Sequence, residues 1–220
     1  MILAGDVGAT KCNLALFALQ GDKLRRVRQQ RFPSRNYHGL EAVVREFLSV
    51  APAPITAAAF GIAGPVFHNR VQATNLPWMV DGDALRDELK APVVVLNDLE
   101  AAGWGLPQLA REQLFVLQPG TPLETANRAL LAPGTGLGEA ILFWDGRRHR
   151  PSATEGGHAD FAPRTDTEIE LLRFLKQRFD CVSFETVVSG GGFLLLHEFF
   201  DPGLRHPEFD HPEEDPAPAI

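Results

Sequence analysis

The sequence predicts a mixed α/β fold in two domains, and three observations carry that prediction. Short apolar runs of strand length alternate with segments of helical periodicity, an order that produces sheets covered by helices. A polar stretch after Pro107 separates two such sets. The composition, 45% hydrophobic and 22% charged over 220 residues, suits a globular protein long enough for one large or two modest domains.

Taken in order, Met1 to Asp6 is an apolar run ending in an acid, Val7 to Thr10 is a turn, and Cys12 to Leu19 resumes as a second strand. Gly21-Asp22 turns the chain into Lys23 to Phe32, a third and partly exposed strand whose basic run Lys23 to Arg31 suits a solvated sheet edge. Leu40, Val43, Val44, Phe47 and Leu48 then repeat at helical spacing. Ile55 to Ile62 and Val93 to Leu96 read as further apolar strands, the latter preceded by a polar helical segment, Asp81 to Leu89. Beyond the boundary, Leu114 to Leu117, Ala129 to Ala132 and Glu139 to Trp144 read as strands of the second domain. Thr165 to Glu168 fits a capping box that opens a helix with the stripe Ile169, Leu172, Leu175 and Phe179. The domains expected are thus 1–107 and 108–200, followed by an irregular tail, 201–220, rich in Pro and acids.

Composition also narrows the function. The net charge of −7 argues against non-specific nucleic-acid binding, which needs a basic surface to displace counterions. The N-terminus has no basic segment followed by an apolar stretch, so no membrane span or export signal is expected and a cytoplasmic location is. Cys12 and Cys181 lie far apart with no Cys-x-x-Cys or His spacing, so both are read as small core residues, not as a disulfide or a zinc site.

Five clusters carry candidate chemistry. Gly8, Ala9 and Thr10 lie between two strands, where backbone amides and a hydroxyl can meet an anion, and Asp6 just before them could hold a nucleotide's Mg²⁺ through water. A hairpin turn explains the same residues without a ligand. Gly134, Thr135 and Gly136 repeat the arrangement between two later strands, which together suggest a split phosphate clamp; neither loop is a Walker A sequence. Asn97-Asp98 ends an apolar strand just before a helical segment, a place suited to a general base and equally to a helix N-cap. Glu155-Gly156-Gly157-His158 is a pinned polar loop able to present two side chains to a polyhydroxylated ligand. Glu185 follows Ser183 at a helix start, which capping alone would explain.

Together these pieces resemble the bacterial glucokinase family outside the repressor-type sugar kinases. The resemblance rests on Leu3 to Gly8, Phe60-Gly61-Ile62-Ala63-Gly64-Pro65, Thr74-Asn75-Leu76-Pro77-Trp78, Leu96-Asn97-Asp98, Gly134 to Gly138, Glu155 to Phe161 and Ser183 to Gly192, in order over nearly all of residues 1–200. It implies an actin-like, ribonuclease-H-type pair of domains that closes over glucose and ATP with Mg²⁺. It further implies Asp98 as the base for the sugar 6-hydroxyl, with Asn97, Glu155, His158 and Glu185 as ring-hydroxyl ligands and Asn75 as a further candidate. Gly8 to Thr10 and Gly134 to Gly136 become the phosphate loops, and a homodimer remains open.

Two departures bear on that reading. Ala9 and Lys11 stand where the family usually has a second glycine and an Asn. Family members also continue past the position of Ile220 with a helix and a glycine-rich loop that help hold adenosine, so the second domain is expected to be incomplete. A fragment, a natural short form and a catalytically silent sugar-binding protein all fit that expectation. The repressor-type kinases carry a zinc-binding cysteine cluster after the sugar-loop His, and no cysteine lies between His158 and Cys181. An actin-like chaperone or filament protein would share the clamp without needing Glu155, His158 and Glu185 as a set.

Overall fold

The computed structural model describes residues 1–203 apart from 22, 51–53 and 75, and divides the chain between Thr121 and Pro122 into two compact units. The sequence expectation put that division earlier, at Pro107. Most of the expected 201–220 tail, and the candidate ligand Asn75, lie outside the described residues.

The first unit begins with a meander of β1 (Ile2–Val7), β2 (Lys11–Gln20) and β3 (Lys23–Pro33), because tight turns can join only antiparallel strands. Helix α1 (Leu40–Val50) carries the chain across to β4 (Ala57–Ile62), which lies parallel to β1. Three short strands, β5 (Val66–Phe67), β6 (Arg70–Gln72) and β7 (Met79–Asp81), form a small antiparallel sheet that leads into α2 (Gly82–Leu89). Strand β8 (Val93–Asn97) then joins β4 in parallel and runs directly into α3 (Asp98–Gly105). The main sheet has the order β3-β2-β1-β4-β8, so the basic strand β3 is an edge, where charge discourages pairing with another chain.

One face of this sheet is the core. Leu3, Val7, Cys12, Leu14, Leu16, Phe60 and Ile62 alternate inward and pack with Leu40, Val43, Val44 and Phe47 of α1 and with Trp78, Val80 and Leu85. On the other face α3 settles against β4 because position 61 has no side chain; a methyl group at Gly61 would stand only 2.8 Å from the Ala101 Cβ. That approach brings the start of α3 to the sheet. In the parallel register Asp6 pairs with Gly61, and Ile62 with Asn97, so the carboxyl ends of β1, β4 and β8 lie side by side.

The second unit has an antiparallel sheet in the order β11-β10-β9, built from β9 (Arg128–Pro133), β10 (Leu137–Trp144) and β11 (His149–Thr154). Helices α4 (Asp166–Leu175), α5 (Phe184–Val187) and α6 (Gly190–Phe200) pack around Leu171, Leu175, Val182 and Val187. The expected capping box opens α4, with Thr165 Oγ1 accepting from the Glu168 amide at 3.2 Å and the Glu168 carboxylate accepting from the Thr165 amide at 3.1 Å. Among the described residues no helix is long and apolar enough to cross a membrane.

Three expectations are corrected. Leu114 to Leu117 is not a strand: Phe115 is 85% and Leu117 90% exposed, in a segment that has no sheet neighbour among the described residues to complete its backbone hydrogen bonds. The buried stripe of α4 is Leu171 and Leu175, whereas Ile169 is exposed and Phe179, also exposed, lies past the helix end. Cys181 is exposed, not a core residue, because it stands in the loop before α5 with its Sγ 3.5 Å from Asp160 Oδ1.

Candidate active site

In the first unit the candidate residues gather where the parallel strands end, the usual ligand crevice of α/β sheets. The β1–β2 turn is closed by the Gly8 amide donating to the Lys11 carbonyl at 3.0 Å. It is anchored by the wholly buried Ser34, whose hydroxyl donates to the Gly8 carbonyl at 2.7 Å and whose amide donates to the Thr10 carbonyl at 3.1 Å. The turn therefore keeps its shape while Thr10 remains exposed. Asp6 is also exposed, its carboxylate accepting from Asn13 Nδ2 at 3.1 Å. Together with burial, which is the larger effect, that nearby charge pushes the Cys12 thiol up to about 12.

Asn97 fills the capping role foreseen for it. Its Oδ1 accepts from the amides of Leu99 at 2.9 Å and Glu100 at 3.3 Å, and its Nδ2 donates to the Gly64 carbonyl at 3.2 Å. One N–H is left for a ligand, so Asn97 can serve a sugar hydroxyl only as a donor. Asp98, half-buried in the first turn of α3, accepts from the Leu99 amide through Oδ1 at 2.9 Å. Its second oxygen has no partner among the described residues. A carboxylate held at one oxygen and open at the other has what a proton acceptor needs.

In the second unit the sequence-distant candidates converge. The β9–β10 turn is closed by the Gly134 amide donating to the Gly136 carbonyl at 2.8 Å, and the Gly134 carbonyl accepts from the Gly190 amide of α6 at 2.8 Å. Glu185, set in the first turn of α5 by the Ser183 cap, reaches this hairpin: its Oε2 accepts from the Leu137 amide at 2.9 Å, and Gly136 lies against the carboxylate. Its other oxygen faces His158 Nδ1 at 3.8 Å, while His158 Nε2 stands 3.7 Å from Glu155 Oε2. The imidazole is thus flanked by two carboxylates. Exposure of 83% at Glu155 and 62% at His158 leaves both side chains accessible.

Backbone pairing holds this loop. A 3-10 turn over Gly156–His158 is closed by the Ala159 amide on the Gly156 carbonyl at 2.9 Å, and a bridge between Asp160 and Ser183 joins the loop to the start of α5. Ser34, which fixes the first turn, and Gly190, which ties α6 to the second, were not foreseen from the sequence. The hydroxyl of Ser34 and the glycine run at 190–192 were the only local signals. Among the described residues no three His, Cys, Asp or Glu side chains cluster as a metal site, and Asp6 alone suits an ion held mostly by phosphate oxygens and water.

Comparison with known proteins agrees across the chain. The glucokinase family profile matches residues 3–217. The chain is 38% identical over 205 residues to the glucokinase of Trichormus variabilis, covering 90% of this chain and 60% of that protein. It is 39% identical over 203 residues to that of Ralstonia nicotianae, covering 89% of this chain and 58% of that protein. Among solved structures, a glucokinase from an Antarctic psychrotroph superposes with a TM-score of 0.82 at 28% identity, over 99% of this chain and 73% of that one. The Balamuthia mandrillaris glucokinase solved with glucose shares the fold, at a TM-score of 0.69 and 19% identity over 100% of this chain and 66% of that one. The chain spans about 60% of the length of the curated relatives it matches.

Proposed function

The chain belongs to the glucokinase family, and from that premise we propose that it takes part in moving the γ-phosphoryl group of ATP to the 6-hydroxyl of glucose. Asp98 is the base: its open carboxylate oxygen takes the 6-hydroxyl proton as the oxygen bonds to the γ-phosphorus and the bond to the β–γ bridging oxygen breaks, releasing ADP. Glu155, His158 and Glu185 bind ring hydroxyls, Asn97 donates its remaining N–H, and Asn75 is a further candidate. The hairpin turns Gly8 to Thr10 and Gly134 to Gly136, closed by the Gly8 and Gly134 amides, offer their remaining amides and the Thr10 and Thr135 hydroxyls to the phosphates. Asp6 would hold Mg²⁺ through water, the ion supplying charge neutralisation at the phosphate oxygens.

The observation that carries this reading is the carboxylate of Glu185, which faces His158 with one oxygen and the amide of the glycine hairpin with the other. A set of polar side chains suited to sugar hydroxyls thereby stands against a turn suited to phosphates.

The test is product analysis by ³¹P NMR after incubation of the full-length protein with MgATP and either glucose or 6-deoxyglucose. The proposal expects glucose 6-phosphate from the first and no sugar phosphate from the second. Failure to form the ester, or ATP consumption at the same rate with both sugars, would contradict it.

A further inference from the structure

Among the described residues strand β8 is an outer strand of the main sheet, with β4 on one side and no strand on the other. The free side of such a strand leaves alternate N–H and C=O groups without partners, and those groups are where a strand frays or slips. Here one side chain completes it. Asn69 Oδ1 accepts from the Val95 amide at 2.8 Å, and Asn69 Nδ2 donates to the Val93 carbonyl at 3.2 Å, the pair of bonds that a residue of a neighbouring strand would exchange.

Asn69 is itself held firmly. Its carbonyl accepts from the Gly82 amide at the start of α2 at 2.9 Å, and position 82 has no room for a side chain because Asn69 fills it. Its φ of 60° is one that asparagine adopts more readily than most residues. At the far end of β8 the Gly64 carbonyl accepts from Asn97 Nδ2 at 3.2 Å. The segment from Gly64 to Asn69 therefore clips β8 at both ends.

We propose that Asn69 is a positioning residue for phosphoryl transfer, fixing the register of β8 and through it the place of Asn97 and Asp98. The role rests on reading Asp98 as the base. Val95 is buried and lies two residues before Asn97, and α3 begins at Asp98 with no linking loop to absorb a shift. A strand advances about 3.3 Å per residue, so even a fraction of one residue's slip displaces the carboxylate by an amount that matters to proton transfer. Asn69 touches no reacting atom and acts through the strand alone.

Two variants test this in the full-length protein. Asn69→Gly removes the side chain while accepting the positive φ without strain; Asn69→Asp keeps the acceptor for Val95 and loses the donor to Val93. For Asn69→Gly the expected results are faster hydrogen exchange at the Val95 amide, turnover lower by about tenfold or more, and a smaller rise in glucose KM, because Asn97 supplies only one of several sugar contacts. Asn69→Asp is expected to keep Val95 protected and to recover most of the turnover. Unchanged Val95 exchange in Asn69→Gly, unchanged turnover at 25 °C with only a lower Tm, or equal turnover losses in both variants would each overturn the proposal. A parent protein inactive toward glucose overturns the reading of Asp98 and this role with it, and the exchange measurement then reports separately on the clip.

Discussion

Replacing Gly157 by alanine puts the geometry of the His158 loop to a quantitative test. Gly157 is buried in the 3-10 turn, and the added methyl would land on the Leu137 carbonyl oxygen, with the Leu137 carbonyl carbon and Cβ each at 3.2 Å. Leu137 begins β10 and its amide is held by Glu185, so the obstacle is backbone that cannot rotate aside. The turn must retreat by roughly 1 Å, a displacement large enough to spoil ligand geometry. Overpacking of this kind costs about 1–3 kcal/mol, which for a chain of this size lowers Tm by about 2–12 °C. Glu155 and His158 move with the turn, and the loss of about 1–3 kcal/mol of hydrogen bonding raises the glucose Kd by about 5- to 150-fold. Thermal melts and calorimetric titration with glucose read the two effects. Gly134→Ala is the control: a methyl there has no atom within 4 Å, so Tm should hold while phosphate binding suffers. A Gly157→Ala protein with parental Tm and parental glucose affinity would refute the reasoning.

Other outcomes follow from the same geometry. Glu155→Gln and His158→Ala should each weaken glucose binding by about 1–3 kcal/mol and leave nucleotide binding nearly unchanged; equal losses for both ligands would make the loop structural. Cys181 alone should react with a thiol reagent at pH 8 in the folded protein: its hydrogen bond to Asp160 raises its thiol pKa and slows the reaction, but Cys12 is buried and its thiol is pushed up to about 12. Since that folded value lies above the 9.0 of an ordinary thiol, Cys12 supports stability fully below about pH 9, and the support fades as pH rises toward 12. Urea midpoints at pH 8 and pH 11 should therefore fall further for the parent than for Cys12→Ala. Equal falls would show that Cys12 does not titrate with unfolding.

Much of this arrangement was legible because its signals are local. The apolar runs of β1 and β2, the period of α1 and the Thr165 to Glu168 box each declare themselves within a few residues. Asn97-Asp98 was legible but ambiguous, and the structure shows why: the same asparagine caps α3 and stands at the end of β8. What the sequence hid is long-range. The bond from Leu137 to Glu185 spans 48 residues and that from Val95 to Asn69 spans 26, and neither leaves a periodic trace. Leu114 to Leu117 misleads for the converse reason, an apolar run with strand character but no partner to pair with.

Asp98→Asn in the full-length protein, measured as glucose-dependent turnover beside the glucose Kd, tests the assignment of the base most directly. The substitution keeps the shape of the side chain and its place in the first turn of α3 but removes the proton acceptor. The expected result is a parental glucose Kd with turnover reduced by about 10²–10⁴. A variant that keeps a tenth or more of parental turnover would contradict the assignment of Asp98 as the base.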